Sequence, residues 1–211
     1  MNITQENCNS ESVESKIEKG KHRQLVEIAY KWVLANMSCG IAFKELHTNA
    51  CNGEHPDVIG FGGWGHSVLV EVKVSRSDFL SDKKKSFRKN PELGMGRQRF
   101  YCCPVDLIKQ HELPTGWGLI YVSGKGKARC VHSPYKGNIG ERHHGFVQNI
   151  KAEHGLMYSA LRRLHLKDLI DEVYRVPEEG YNTFGAVEKG KRDRVERELF
   201  EQTEEAEYFK W

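Results

Sequence analysis

The chain has 211 residues, 38% of them hydrophobic and 29% charged, with a formal net charge of +3 at neutral pH and a mean hydropathy of −0.63. That length supports one good-sized core, and no apolar run approaches the roughly 18 residues a membrane span needs, so no membrane partner is expected. The start is polar, with no apolar signal segment, and none of the six cysteines forms a C-x-x-C pair; the expectation is a cytoplasmic protein with reduced thiols.

Residues 1–17 read as a loosely ordered polar lead-in. Helical periodicity starts near Ile17, with Leu25, Ile28, Ala29, Trp32, Val33 and Ala35 roughly on one side, and Gly40 marks its end. Ile41 to Leu46 alternates like a half-buried strand. Val58 to Phe61 and Val68 to Val74 predict a hairpin across Gly60, Gly62, Gly63 and Gly65. That glycine cluster lacks the G-K-[ST] ending of a phosphate-binding loop and opens no helix, so a tight hairpin loop explains it better.

A helix follows from Ser75 to about Arg88, with Ser75 or Ser77 as its N-cap. Arg99 to Cys103 reads as a buried strand, Val105 to Gln110 as a short helix, and Trp117–Val122 and Ala128–Val131 as two more strands. Val147 to Val173 is helical in pattern. The whole predicts an α/β fold with a central mixed sheet flanked by helices. Its domain spans 18–175, and a charged helical extension covers 176–211.

The chemistry concentrates between Pro56 and Lys73. Asp57 opens one strand of the hairpin, and Glu71 and Lys73, two apart on the other, share a face. Asp57 and Glu71 offer carboxylate oxygens, and the Val72 carbonyl a third ligand, to Mg2+ or Mn2+. Lys73 is placed to orient or deprotonate a water, or to stabilise charge on a phosphate. Glu27, on the first helix, is favoured over Glu45 as a further acid reaching the metal. Around this cluster, Glu71 to Arg99 carries nine Lys/Arg against four Asp/Glu, which suits a polyanionic partner; the bland alternative is a solvated helix face. Ser75 and Arg76 at a helix start, Lys83 and Lys84 in the basic run, and the Arg97 and Arg99 guanidinium groups are the candidate phosphate contacts. Ordinary capping is an equal account of Ser75. Asp78 and Asp82, four apart on one helix face, are read as holding Lys83, Arg99 or Lys73, with a surface ion pair as the simpler alternative for Asp82.

Pro56-Asp57, a turn-containing spacer and Glu71-Val72-Lys73, in the order helix, strand, strand, strand, helix, strand, resemble the PD-(D/E)xK nuclease superfamily. The longer stretch Glu71-Val-Lys-Val-Ser-Arg-Ser-Asp-Phe-Leu-Ser-Asp is similar to a group of small nuclease-like proteins of bacteria and phages. Further similarity runs through Phe100–Pro104, Leu113–Leu119 and Ser159–Leu164. The resemblance implies a restriction-endonuclease-like core and a metal-dependent nuclease acting on DNA, with Asp57, Glu71 and Lys73 at its centre and a homodimer as one assembly open to it. A catalytically inactive nuclease fold that binds nucleic acid or a protein is the alternative. The five glutamates and no basic residue between Glu198 and Glu207 suggest a tail that recruits a protein partner. No histidine and cysteine spacing matches a zinc site.

Overall fold

The computed structural model describes residues 4–48, 52–135 and 145–174, with side chains from 16 onward. The expected C-terminal extension over 176–211 lies outside the described residues.

Helix α1 spans Thr4–Asn36, so it begins well before the apolar periodicity that starts near Ile17. Its buried side chains, Leu25, Val26, Ala29 and Val33, fall on the one stripe that meets the sheet. It ends at Asn36, whose side-chain amide donates to the Trp32 carbonyl, and Ser38 then takes a left-handed φ of 53°. Gly40 is the residue that returns the chain to the sheet, its N–H bonded to the Phe61 carbonyl.

Six strands follow: β1 (Ile41–Lys44), β2 (Val58–Phe61), β3 (Ser67–Val72), β4 (Gln98–Pro104), β5 (Trp117–Val122) and β6 (Ala128–His132). They lie side by side in sequence order. β1, β2 and β3 are antiparallel, β3, β4 and β5 are parallel, and β6 returns antiparallel to β5. The mixed sheet flanked by helices is the α/β fold that the sequence predicts.

Both faces of the central strands are covered, which is why they read as continuous apolar runs. Val68, Val70, Val72, Phe100, Cys102 and Ile120 pack with α1. Leu69, Tyr101, Cys103 and Leu119 pack on the other face with Phe79, Ala152 and Leu156. Each fully buried side chain of Val or Leu size contributes about 1.5–3 kcal/mol. Gly60 is needed where β2 passes under α1, because a Cβ there would lie 2.5 Å from Val33 Cγ1.

The β3-to-β4 crossover is two short helices, α2 (Arg76–Asp82) and α3 (Ser86–Lys89), where one helix is expected. Ser75 caps α2, accepting from the Asp78 N–H. The break follows Asp82, which is fully buried and draws the next turn in through Lys85. Val105–Lys109 is not helical. Asp106 has a φ of 66°, and the segment closes in a 3-10 turn at Gln110–Glu112, fixed by the Glu112 carboxylate accepting from the Lys109 N–H. Helix α4 covers Ile150–His165, capped by Asn149. The expected continuation to Val173 is interrupted at Asp168, whose φ of 56° precedes a 3-10 turn at Ile170–Tyr174.

Candidate metal and phosphate site

The β2–β3 hairpin puts the acids side by side. Val58 pairs with Val70, so Asp57, one residue earlier, stands opposite Glu71. Asp57 is held by its own side chain, its Oδ2 accepting from the Val72 N–H at 2.7 Å, and its carbonyl accepts from the Glu45 N–H at 2.9 Å. Since the Lys73 N–H bonds to the Cys102 carbonyl, the alternation of the ladder turns the Val72 peptide groups towards β2. There Pro56, with no N–H, has no donor to offer the Val72 carbonyl.

Glu71 and Lys73 are both 3% exposed. The lysine amine lies 3.3 Å from Glu71 Oε2, 3.6 Å from Asp78 Oδ1 and 3.5 Å from Asp82 Oδ1. Burial pulls its proton affinity down, but those carboxylates together raise it above the ordinary lysine value.

A residue that sequence reasoning did not single out ties the network together. Arg88 reaches Glu54 Oε1 at 2.5 Å, Glu71 Oε1 at 2.9 Å and, through Nε, Asp82 Oδ2 at 2.8 Å. Its guanidinium stacks over the Trp117 ring at 4.7 Å. Tyr101 adds an O–H bond to Asp82 Oδ2 at 2.8 Å. Glu71 is therefore not an uncompensated carboxylate: each oxygen faces a cation. Burial nevertheless pushes its carboxyl up to about 7, Arg88 and Lys73 offsetting part of the effect and Asp57 adding to it. Burial works the same way on Asp82, but Arg88 and Lys73 outweigh it and hold that carboxyl below the usual range. Glu54, Glu71, Asp78 and Asp82 are four carboxylates set against Lys73, Lys85 and Arg88, so with every acid ionised the cluster is short of one positive charge before Asp57 is added.

Glu27 is not brought to this group. It pairs with Lys44 on the exposed side of α1. Glu45 and His22 are there instead: His22 Nε2 is 3.4 Å from Asp57 Oδ1 and Nδ1 is 3.6 Å from Glu45 Oε1. Its bond to Asp57 is the main cause that raises the His22 pKa.

The expected phosphate contacts divide. Ser75 is committed to capping α2. Arg76 is forked onto Glu112, at 2.7 and 2.5 Å, which holds the Glu112 carboxyl down at about 2. Lys83 donates to the Glu112 carbonyl at 2.7 Å and sits over the Phe79 ring. Lys84 is exposed. Arg97 precedes β4 at the opposite end of the strands from Glu71, its N–H bonded to Ser67 Oγ. Arg99 corrects the expectation outright. It is 1% exposed, donates to the carbonyls of Gly96, Pro91 and Gly94 and lies over the Phe146 ring at 4.2 Å. Burial lowers its pKa to about 10. It is the clamp of the 91–96 loop, with no face left for a phosphate.

No protein-family model matches the chain, and no curated protein matches it. A solved structure of a protein of unknown function from Silicibacter pomeroyi is similar over 61% of this chain and 80% of its own, at 23% identity and a TM-score of 0.39. Among the described residues no helix is long and apolar enough to cross a membrane.

Proposed function

We propose that this protein is a metal-dependent nuclease that hydrolyses phosphodiester bonds of DNA, with a PD-(D/E)xK-type site on a restriction-endonuclease-like core. The observation that carries the reading is the placement of Asp57 opposite Glu71, with the Lys73 amine beside Glu71 and gripped by Asp78 and Asp82.

The donor set fits a hard divalent cation. It is made of carboxylate oxygens from Asp57 and Glu71 and the Val72 carbonyl, in a cluster short of positive charge where Glu71 is reluctant to ionise unaided. Mg2+ or Mn2+ held there supplies charge neutralisation at the phosphate and acidifies a water. Asp57 is prepositioned by the Val72 N–H. Lys73, kept protonated by its three carboxylates, serves as a fixed positive charge for the developing phosphorane rather than as a base. Arg88 orients Glu71 from behind.

The test incubates purified protein with single-stranded, linear and circular DNA in Mg2+, Mn2+ or EDTA. Cleavage that is lost in EDTA, and that falls by about 100-fold or more in Lys73→Ala, is the expected result. The pairing of both Glu71 oxygens with cations favours a second reading, a nuclease fold that binds DNA without cutting. Binding that survives Lys73→Ala, with no cleavage by the wild type under any condition, decides for it.

A further inference from the structure

A polyanion brought to Asp57 and Glu71 needs cations beside them, and most of those expected from the sequence are committed elsewhere. Arg76 is forked onto Glu112, Lys83 donates to the Glu112 carbonyl and Arg99 clamps the 91–96 loop. Lys73 and Arg88 are taken up by the carboxylates around them. Cations without such partners stand on α1. We infer, resting on the nuclease reading, that Lys16, Lys19 and Arg23 form a row that holds the phosphate backbone of DNA beside the acid pair without reading its bases.

The row is placed by His22, whose ring meets Asp57. At 3.6 residues per turn, Lys19, Arg23 and Lys16 lie between about 60° and 120° round the helix from His22, spaced three and four apart so that their side chains stand one above the other. Glu27 and Tyr30 continue this flank, and both meet Lys44 of β1, so the flank overlooks the β1 side of Asp57. All three cations are exposed. Among the described residues no ion pair takes them up. Of the acids on this part of α1, Glu27 is neutralised by Lys44, and Glu18 lies about 40° round to the other side of His22. Lys21 is on the opposite flank, with Gln24 and Ile28 near Val122 and Ser123. None of the described α1 side chains before Leu25 is buried, so the row leads away from the sheet with open access. From Lys16 to Arg23 the axis rises about 10 Å. One strand of B-DNA advances about 3.4 Å per phosphate, so three cations lie alongside about three successive phosphates. Single and double strands offer the same phosphodiester chemistry, and the salt dependence of binding separates them.

The full chain is titrated in EDTA against labelled duplexes of two unrelated sequences and against a single strand, from about 50 to 200 mM salt. Fluorescence anisotropy gives the slope of log affinity against log salt. Replacing Lys16, Lys19 and Arg23 together by glutamine should flatten that slope by about 2.7 on duplex, or about 2 on a single strand, and Lys19→Gln alone by about 0.9 on duplex. Both duplexes lose affinity equally. Glutamine keeps the helix propensity of lysine and arginine, and an unchanged far-ultraviolet spectrum verifies that α1 is intact. The exposed Lys31 and Lys151, replaced together by glutamine, leave the slope where it was. Wild type that binds neither form at 50 mM, a slope unchanged in the triple variant, an equal flattening in the Lys31 and Lys151 control, or unequal losses on the two duplexes overturns the inference. The two readings fail separately. Metal-dependent cleavage by wild type with an unchanged slope in the triple variant removes this row alone. A slope that flattens as expected, with no cleavage by wild type in any metal, removes the nuclease and leaves the row.

Discussion

Replacing Glu71 by glutamine changes how stability depends on pH, and the direction follows from burial. The Glu71 carboxyl moves from an ordinary 4.5 to about 7 in the folded chain. Between those values the native state binds a proton that the unfolded chain releases, so wild-type stability falls as pH rises through that window. At 1.36 kcal/mol for each unit, the fall from this one group is on the order of 3 kcal/mol, with no discount for solvent because the side chain is 3% exposed. Glutamine has nearly the same shape and does not titrate. The stability of Glu71→Gln minus that of wild type should therefore grow by about 3 kcal/mol between roughly pH 4 and pH 8. Two neighbours titrate in both proteins and largely cancel in the difference. Asp82, held low, contributes stability that is lost as pH falls. His22, held high, contributes stability that is lost as pH rises through its folded value. Urea unfolding across that pH range reads the difference directly. Parallel curves, or a gap that closes as pH rises, would show Glu71 to be an ordinary ion-pair partner and refute the reasoning. If the site holds a divalent cation, Mg2+ added at the upper end narrows the gap by stabilising wild type alone.

Two further substitutions separate structure from function. Arg88→Met leaves Glu54, Glu71 and Asp82 facing one another without their shared guanidinium and should cost about 3–5 kcal/mol, seen as a lower urea midpoint that partly recovers at acid pH. Arg99→Met strips three loop carbonyls of their donor and should cost about 3 kcal/mol while leaving DNA affinity unchanged in a salt titration; a weakened affinity with intact stability would restore Arg99 as a phosphate contact.

Most of the sheet is legible in the chain because its signals are local. β2, β5 and the hairpin glycines are bounded where apolar runs meet turn residues. Two of the misjudged boundaries are places where a partner far along the chain takes part: the α2–α3 break at the buried Asp82, which Tyr101 holds, and the turn at Gln110–Glu112 in place of a helix over 105–110, whose Glu112 is gripped by Arg76. The site divides in the same way. Asp57, Glu71 and Lys73 declare themselves by spacing on two adjacent strands. Arg88 lies in a basic run that looks like solvated surface, and its partner Glu54 is 34 residues away; nothing local distinguishes it from Lys89. Glu27 and His22 sit on the same helix with equal claims by sequence, and only the crossing of α1 over β2 brings the imidazole, not the carboxylate, to Asp57. Arg99 reads as a fork for phosphate because guanidinium chemistry is the same for an anion and for backbone carbonyls.

The spacing of Glu71, Lys73, Ser75, Asp78, Phe79 and Asp82 acquires a single physical meaning in the fold. Ser75 starts α2 at a fixed distance beyond Lys73, and Phe79 anchors that helix beneath the sheet against Tyr101. The turn so fixed presents Asp78 and Asp82, one helical turn apart, to the amine that Glu71 meets from the strand. Three carboxylates around one buried amine favour its charged form at neutral pH, so the segment as a unit keeps a lysine charged in a place where burial alone would neutralise it. A base at this position would call for the opposite arrangement, apolar or cationic neighbours that lower its proton affinity. On the proposed nuclease reading, the role this leaves for Lys73 is to present a permanent positive charge beside the acid pair. Lys73→Arg should accordingly retain more cleavage than Lys73→Ala, whereas a base mechanism would lose it equally in both, since arginine does not deprotonate in proteins.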